Sequence, residues 1–194
     1  MSAYYLKKPN GSYDLVDLNT VTMTNQIVSN TDLTFEVVVR KLMALPYDNS
    51  NIADLWDGEF DCNFIPQARK QNFDINVLGN FLLLTQSAYQ FLGDKIHPYG
   101  EFVKVNADGE SLMLFNPQVF ANEDPTLCEM NYIDGFEDGL KSLAFLNEDI
   151  QNKLLFKSKL QGGYSIYCNE AFKRLFINSE LEGLNFDSDL LNPF

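Results

Sequence analysis

Asp134, Glu137 and Asp138 lie close enough in the chain to share one side of a turn or short helix. Carboxylates so placed are what a two-carboxylate hydrolase or a calcium loop requires. The spacing completes neither device, because no D-x-[DN]-x-[DN]-G run leads to the closing glutamate of a calcium loop. His97 is the single histidine and stands immediately before Pro98, so a nucleophile triad, an imidazole metal site or an acid–base pair would all have to share it. Phosphate-cradling and nucleophile-elbow motifs are missing, and Gly79-Asn80 after Val77-Leu78 lacks the second glycine of a dinucleotide loop. Cys62, Cys128 and Cys168 are widely spaced with no C-x-x-C pair, which indicates neither a disulfide framework nor a zinc ligand set and fits a reducing compartment. The expectation is a protein with no cofactor, no metal and no catalysis of its own.

The same carboxylates carry a different signal in bulk. The chain has 27 Asp and Glu against 14 Lys and Arg, a formal charge of -13. Between Lys104 and Lys141 there is no basic residue, while Asp108, Glu110, Glu123, Asp124, Glu129, Asp134, Glu137 and Asp138 are all acidic. A second window, Lys41 to Arg69, holds Asp48, Asp54, Asp57, Glu59 and Asp61. One reading is a solvated acidic face. The other is a surface that steers and holds a basic partner, with Trp56, Tyr132 and Phe136 as aromatic anchors or as core. The expected partner-binding residues are Asp54, Trp56, Asp57, Glu59 and Asp61 in one window and Glu123, Asp124, Glu129, Asp134, Phe136, Glu137 and Asp138 in the other. Direct contact with nucleic acid or anionic lipid is not expected, since no window supplies a basic face.

Elements must position these groups. At 194 residues with 45% hydrophobic content the chain can bury roughly 70% of its unfolded surface, enough for one core. Met1 to Leu15 has Lys7 and Lys8 but no apolar run behind them, and Ile75 to Gly93, the longest uncharged run, is too polar for a membrane span, so a cytosolic protein is expected. Tyr4 to Leu6 and Tyr13 to Leu18 read as short strands about Pro9-Asn10-Gly11. Leu33 to Leu45 reads as a strand from Val37-Val38-Val39, although Phe35, Val38, Val39 and Leu42 would also share a helical face. Pro46 to Lys70 reads as an irregular connection with a short helix near Trp56.

The rest is sharper. Asn80 to Leu84 is an apolar run, with Thr85 capping a helix through Leu92 that Gly93 ends. Phe102 to Val105, Ala107-Asp108-Gly109 and Ser111 to Phe115 form a hairpin signal. Leu154 to Lys159 and Tyr164 to Cys168 read as strands about Gln161-Gly162-Gly163, and Asn169 caps a helix Glu170 to Ile177. In that helix Ala171 with Leu175 and Phe172 with Phe176 form an apolar stripe, and Lys173 and Arg174 face water. Gly183 to Phe186 returns as a last strand. Laying Phe81–Leu92 on Tyr164–Leu175 puts Ala88 on Ala171 and Leu92 on Leu175, an internal echo or the ordinary recurrence of strand, cap and helix.

Leu155-Phe156-Lys157, Tyr164 through Phe172 and Leu181-Glu182-Gly183-Leu184-Asn185-Phe186 together resemble the end of a large bacterial immunity-protein family of polymorphic toxin systems. Phe81 to Leu92 and the hairpin Glu101 to Phe115 are similar to that family's middle block. Thr85-Gln86 and Cys168-Asn169 depart from its serine-glutamate strand end, which Asn169-Glu170 restores one place on. The resemblance spans about the last 120 residues of the chain. It implies a small cytosolic protein that binds and blocks a cognate toxin stoichiometrically, a basic nuclease or another cytosol-acting effector. An acidic adaptor or nucleic-acid mimic serving a host protein, and a hydrolase using Asp134, Glu137 or Asp138, are the alternatives. The expected architecture is α+β, a mixed or antiparallel sheet with a few short helices packed on one side, in a single immunity-type domain over 1–194 with an N-terminal lobe of about 1–70.

Overall fold

The computed structural model describes residues 2–9, 11, 14–68 and 72–192. It is α+β, with one mixed sheet and two antiparallel ones. Β-strand β1 (Ala3–Lys7) opens the chain, but Val16 makes only an isolated bridge to Phe64, so no strand follows it up to Leu18; Tyr13 lies outside the described residues. Helix α1 (Thr20–Asn30) occupies a stretch for which no element is expected. Its start is a capping box: Asn19 Oδ1 accepts the Val21 and Thr22 amides at 2.9 and 3.1 Å, and Thr22 Oγ1 accepts the Asn19 amide at 2.7 Å.

The expected strand over Leu33 to Leu45 is instead helix α2 (Phe35–Asp48). Val38, Leu42 and Leu45 recur at helical spacing and are all buried, and burying that face outweighs the β preference of three consecutive valines. Asn49 ends α2 in the left-handed conformation at φ 55. Pro46 sits in the last turn, and the carbonyls there are met from outside: the buried Lys157 ammonium donates to Leu45 O at 3.4 Å and Pro46 O at 2.9 Å. The connection that follows is irregular, with a hydrogen-bonded turn from Ile52 to Trp56 rather than a helix.

Strands β2 (Phe60–Cys62), β3 (Ile75–Leu78), β4 (Phe81–Thr85), β5 (Gly100–Ala107) and β6 (Glu110–Pro117) form the five-stranded sheet, ordered β2-β5-β6-β4-β3 with β2 parallel to β5. Gly79, at φ 59, turns β3 into β4, which is the structural use of the Gly79-Asn80 pair. Asp108 and Gly109, at φ 50 and 91, make the type I′ turn between β5 and β6, as the Asp-Gly signal predicts. The apolar runs have a simple cause. Leu83, Leu112 and Leu114 face α1 and α2 in one core, while Leu82, Leu84, Met113 and Phe115 face the opposite way into a second. A strand buried on both faces has no polar alternation.

Helix α3 (Gln86–Ile96) follows β4, capped where Thr85 Oγ1 accepts the Ala88 amide at 3.3 Å. Gly93 does not end it: Gly93 is buried inside the helix beneath the Tyr89 ring, and the chain continues through a 3-10 turn at His97–Tyr99. Strands β7 (Glu129–Ile133) and β8 (Phe136–Ser142) pair only with each other. The short helix α4 (Asn147–Ile150) leads to β9 (Leu155–Lys157), β10 (Ile166–Asn169), helix α5 (Glu170–Asn178) and β11 (Asn185–Asp187). The order β11-β1-β10-β9 makes the four-stranded sheet, joining both ends of the described chain.

Its two faces are also divided. Leu155, Ile166 and Cys168 enter the second core with Leu82 and Leu84, whereas Phe156 and Tyr167 enter a third with Leu143, Phe145 and Ile150. The two strand-cap-helix units do correspond, but shifted by one from the expected alignment. Asn169 takes the place of Thr85, accepting the Phe172 amide at 2.9 Å, so Phe172 and Phe176 match Ala88 and Leu92. Ala171 is consequently exposed rather than part of the stripe, and Lys173 lies 3.8 Å over the Tyr4 ring rather than in open water.

Candidate partner-binding surfaces

Asp134 and Gly135, at φ 53 and 84, form a type I′ turn that folds β7 back onto β8. Gly139, at φ 74, supplies a bulge where Asp138 and Gly139 oppose Asn131, and a second irregularity separates Glu129 from Met130. The hairpin is fixed at its base. Ser142 Oγ donates to Leu127 O at 2.8 Å and accepts the Glu129 amide at 3.0 Å, Cys128 Sγ meets the Ala144 amide and carbonyl at 3.3 Å, and Leu140 packs on the third core.

Beyond that base the hairpin gives its side chains to solvent. Phe136 is 78% exposed, Tyr132 57% and Ile133 56%, although Ile133 and Phe136 are cross-strand partners beside the turn. Three large apolar groups at one tip are an unusual thing to leave in water. The acids expected to share one side of a turn do not: Asp134 occupies the turn, Glu137 pairs across from Tyr132, and Asp138 accepts the Asn131 amide nitrogen at 3.2 Å on the other face. The carboxylates of Asp134 and Glu137 make no hydrogen bond or ion pair among the described residues. Glu129 is bridged by Lys141 at 2.8 Å, which holds its carboxyl below the usual range and raises the lysine.

Glu123 and Asp124 have structural partners instead. Glu123 accepts the Ser158 hydroxyl at 2.7 Å and the Leu160 amide at 3.2 Å, fixing the β9–β10 connection. Asp124 accepts the Thr126 hydroxyl and amide at 2.6 and 2.9 Å, which lowers its carboxyl, and so shapes the approach to β7.

The first acidic window lies elsewhere, and no hydrogen bond, ion pair or ring contact among the described residues joins its five candidates to those of the second. Asp61 accepts the Asn106 amide nitrogen at 2.8 Å, and its own N–H donates to Gln26 Oε1 at 2.7 Å, tying β2 to β5 and α1. Asp54 is met by Asn51 at 3.5 Å, while Asp57 and Glu59 are exposed. Trp56 is half-buried, edge-on to Phe60 with ring centroids 4.9 Å apart. It lies across Gly58 so closely that a Cβ there would stand 2.1 Å from the indole.

Trp56 and Asp57 form one wall of a cavity of about 610 Å³ whose other wall is Tyr89, His97, Glu101 and Phe102. Sequence reasoning missed that second wall. Glu101 carries no motif, yet its carboxylate accepts the Ile52 amide at 2.5 Å, the Ala53 amide at 3.3 Å and Asn116 Nδ2 at 2.8 Å, pinning the loop that bears Trp56. Only the pairing of β2 with β5 could have announced it.

Burial, with Asp17, Asp108 and Asp61 nearby, pushes the Cys62 thiol up to about 12, and burial also raises Cys168, whereas a reactive cysteine needs a lowered value. Among the described residues no group of three or more His, Cys, Asp and Glu could hold a metal ion. No helix among them is long and apolar enough to cross a membrane. No family model matches the chain, and no curated protein matches it.

Proposed function

We propose that this chain is an immunity protein that binds and neutralises a cognate bacterial toxin in the cytosol, stoichiometrically and without chemistry of its own. The observation that carries the reading is the β7–β8 hairpin, which holds Phe136, Tyr132 and Ile133 out to solvent with Asp134 and Glu137 unpaired beside them. Aromatic anchors ringed by one sign of charge make a docking element: the apolar groups supply affinity on desolvation, and the acids steer a basic partner and reject acidic ones. The chain's net charge of -13 favours such a partner at longer range. A basic nuclease fits best, since an acidic hairpin can enter a groove built for phosphates. The likeness of the 81–115 and 155–186 segments to immunity proteins of polymorphic toxin systems supports the same reading.

The test is co-expression in a sensitive host with the toxin encoded by the adjacent reading frame. The wild-type chain restores growth, and Phe136→Asp with Tyr132→Ala does not, although it accumulates to the same level. Continued killing with wild-type chain and toxin both soluble overturns the proposal.

A further inference from the structure

We propose that the cavity between the Trp56 loop and β5 is a preformed receptor for one arginine side chain of a protein partner. It rests on the toxin-binding reading only for whose arginine this is. At about 610 Å³ the space is of ligand-pocket size, large enough for a guanidinium with its stem and some flanking backbone. Its walls are the right chemistry. Trp56 lines the cavity together with the Tyr89–Phe102 pair, whose ring centroids lie 4.9 Å apart at 74°. A planar, weakly hydrated guanidinium stacks on such faces better than a compact ammonium does.

The charged groups agree. Asp57 is exposed and has no hydrogen-bond or ion-pair partner among the described residues, and Glu101 adds a second carboxylate, against Lys104 as the one strong cation lining the space. Glu101 already accepts three donors, two on Oε1 and one on Oε2, so it contributes mainly field, while Asp57 is the carboxylate left to form the bidentate pair. The site is rigid before anything enters: Gly58 and Phe60 fix the indole, and Glu101 holds the loop by two backbone amides. Preorganisation of this kind reduces the entropy lost on binding.

Trp56 is the sole tryptophan, so its emission reports occupancy directly. The full chain is titrated with acetyl-Gly-Arg-Gly-amide and with the same peptide carrying lysine or neutral, isosteric citrulline. The arginine peptide is expected to give a saturable change at millimolar concentration, the lysine peptide a weaker one and the citrulline peptide none. Asp57→Asn, an exposed substitution that leaves the fold intact, raises the arginine Kd about tenfold, the loss of roughly 1.4 kcal/mol. An equal response to citrulline, no saturable response, or an unchanged Kd in Asp57→Asn overturns the proposal. The toxin separates the two readings: a complex that forms through the hairpin while Trp56 emission stays constant refutes the arginine receptor and leaves the immunity reading standing. A response to the arginine peptide without any toxin complex does the reverse.

Discussion

Lys157 Nζ stands 2.9 Å from the carbonyl oxygen of Pro46, so an ammonium on β9 closes the C-terminal turn of α2 across the molecule. The lysine is almost wholly buried, with its charge 4.8 Å over the Phe120 ring. Burial pushes its pKa from 10.5 to about 8, against an opposing pull from Asp48.

A lysine with a lowered pKa binds fewer protons folded than unfolded between about 8 and 10.5, so stability rises with pH across that window. Cys62, raised to about 12, acts with the opposite sign, so wild type must be compared with Lys157→Met. Urea unfolding at about pH 7 and about pH 10.5 should show wild type gaining about 3 kcal/mol relative to the variant. Parallel behaviour of the two would refute the assignment.

Asn169 is fully buried and serves two elements at once, accepting the Phe172 amide at 2.9 Å and donating to Ile150 O at 3.0 Å. Asn169→Ala therefore removes a buried helix cap and one of two donors to Ile150 O, which keeps the Lys153 amide at 3.2 Å, costing about 2 kcal/mol. Thr85→Ala, at the equivalent but half-exposed cap with a 3.3 Å bond, should cost about half as much. Denaturant midpoints of the two variants check the order; equal losses would mean the caps are not distinguished by burial.

Gly163 and Gly135 have similar backbone, φ 73 and 84, in different surroundings. A Cβ at Gly163 would stand 1.9 Å from Pro46 O, the atom that Lys157 holds, whereas at Gly135 nothing lies within 4 Å. Gly135→Ala should cost about 1 kcal/mol from the left-handed backbone alone. Gly163→Ala should cost at least about 3 kcal/mol, because a backbone atom must move. Thermal unfolding of both variants measures the difference, and equal shifts would remove the steric argument.

The legible parts of the chain were those with a local cause. The Asp108-Gly109 turn, the Asn169 cap and the doubly buried runs Phe81–Leu84 and Leu112–Phe115 each carry their explanation within a few residues. Helix α2 was misread because Val37-Val38-Val39 favours strand locally, while the core that decides the matter comes from β4, β5 and β6. The β7–β8 hairpin has the same Asp-Gly signal as β5–β6 and was still missed. Its strands are exposed on both faces, and without a buried face there is no alternation to read. The cavity lined by Trp56 and Phe102 was invisible for another reason: those segments, distant in the chain, come together through the parallel pairing of β2 with β5.

Among the possible measurements, calorimetric titration of the adjacent-frame toxin into wild type and Phe136→Ala bears most heavily on the hairpin. Phe136 is 78% exposed, so its truncation leaves folding stability within about 0.5 kcal/mol. One-to-one binding by wild type, with Kd raised roughly 30-fold or more in Phe136→Ala, is the expected result for a desolvated aromatic anchor. Equal affinity of the two folded proteins, or no binding by either, would contradict it.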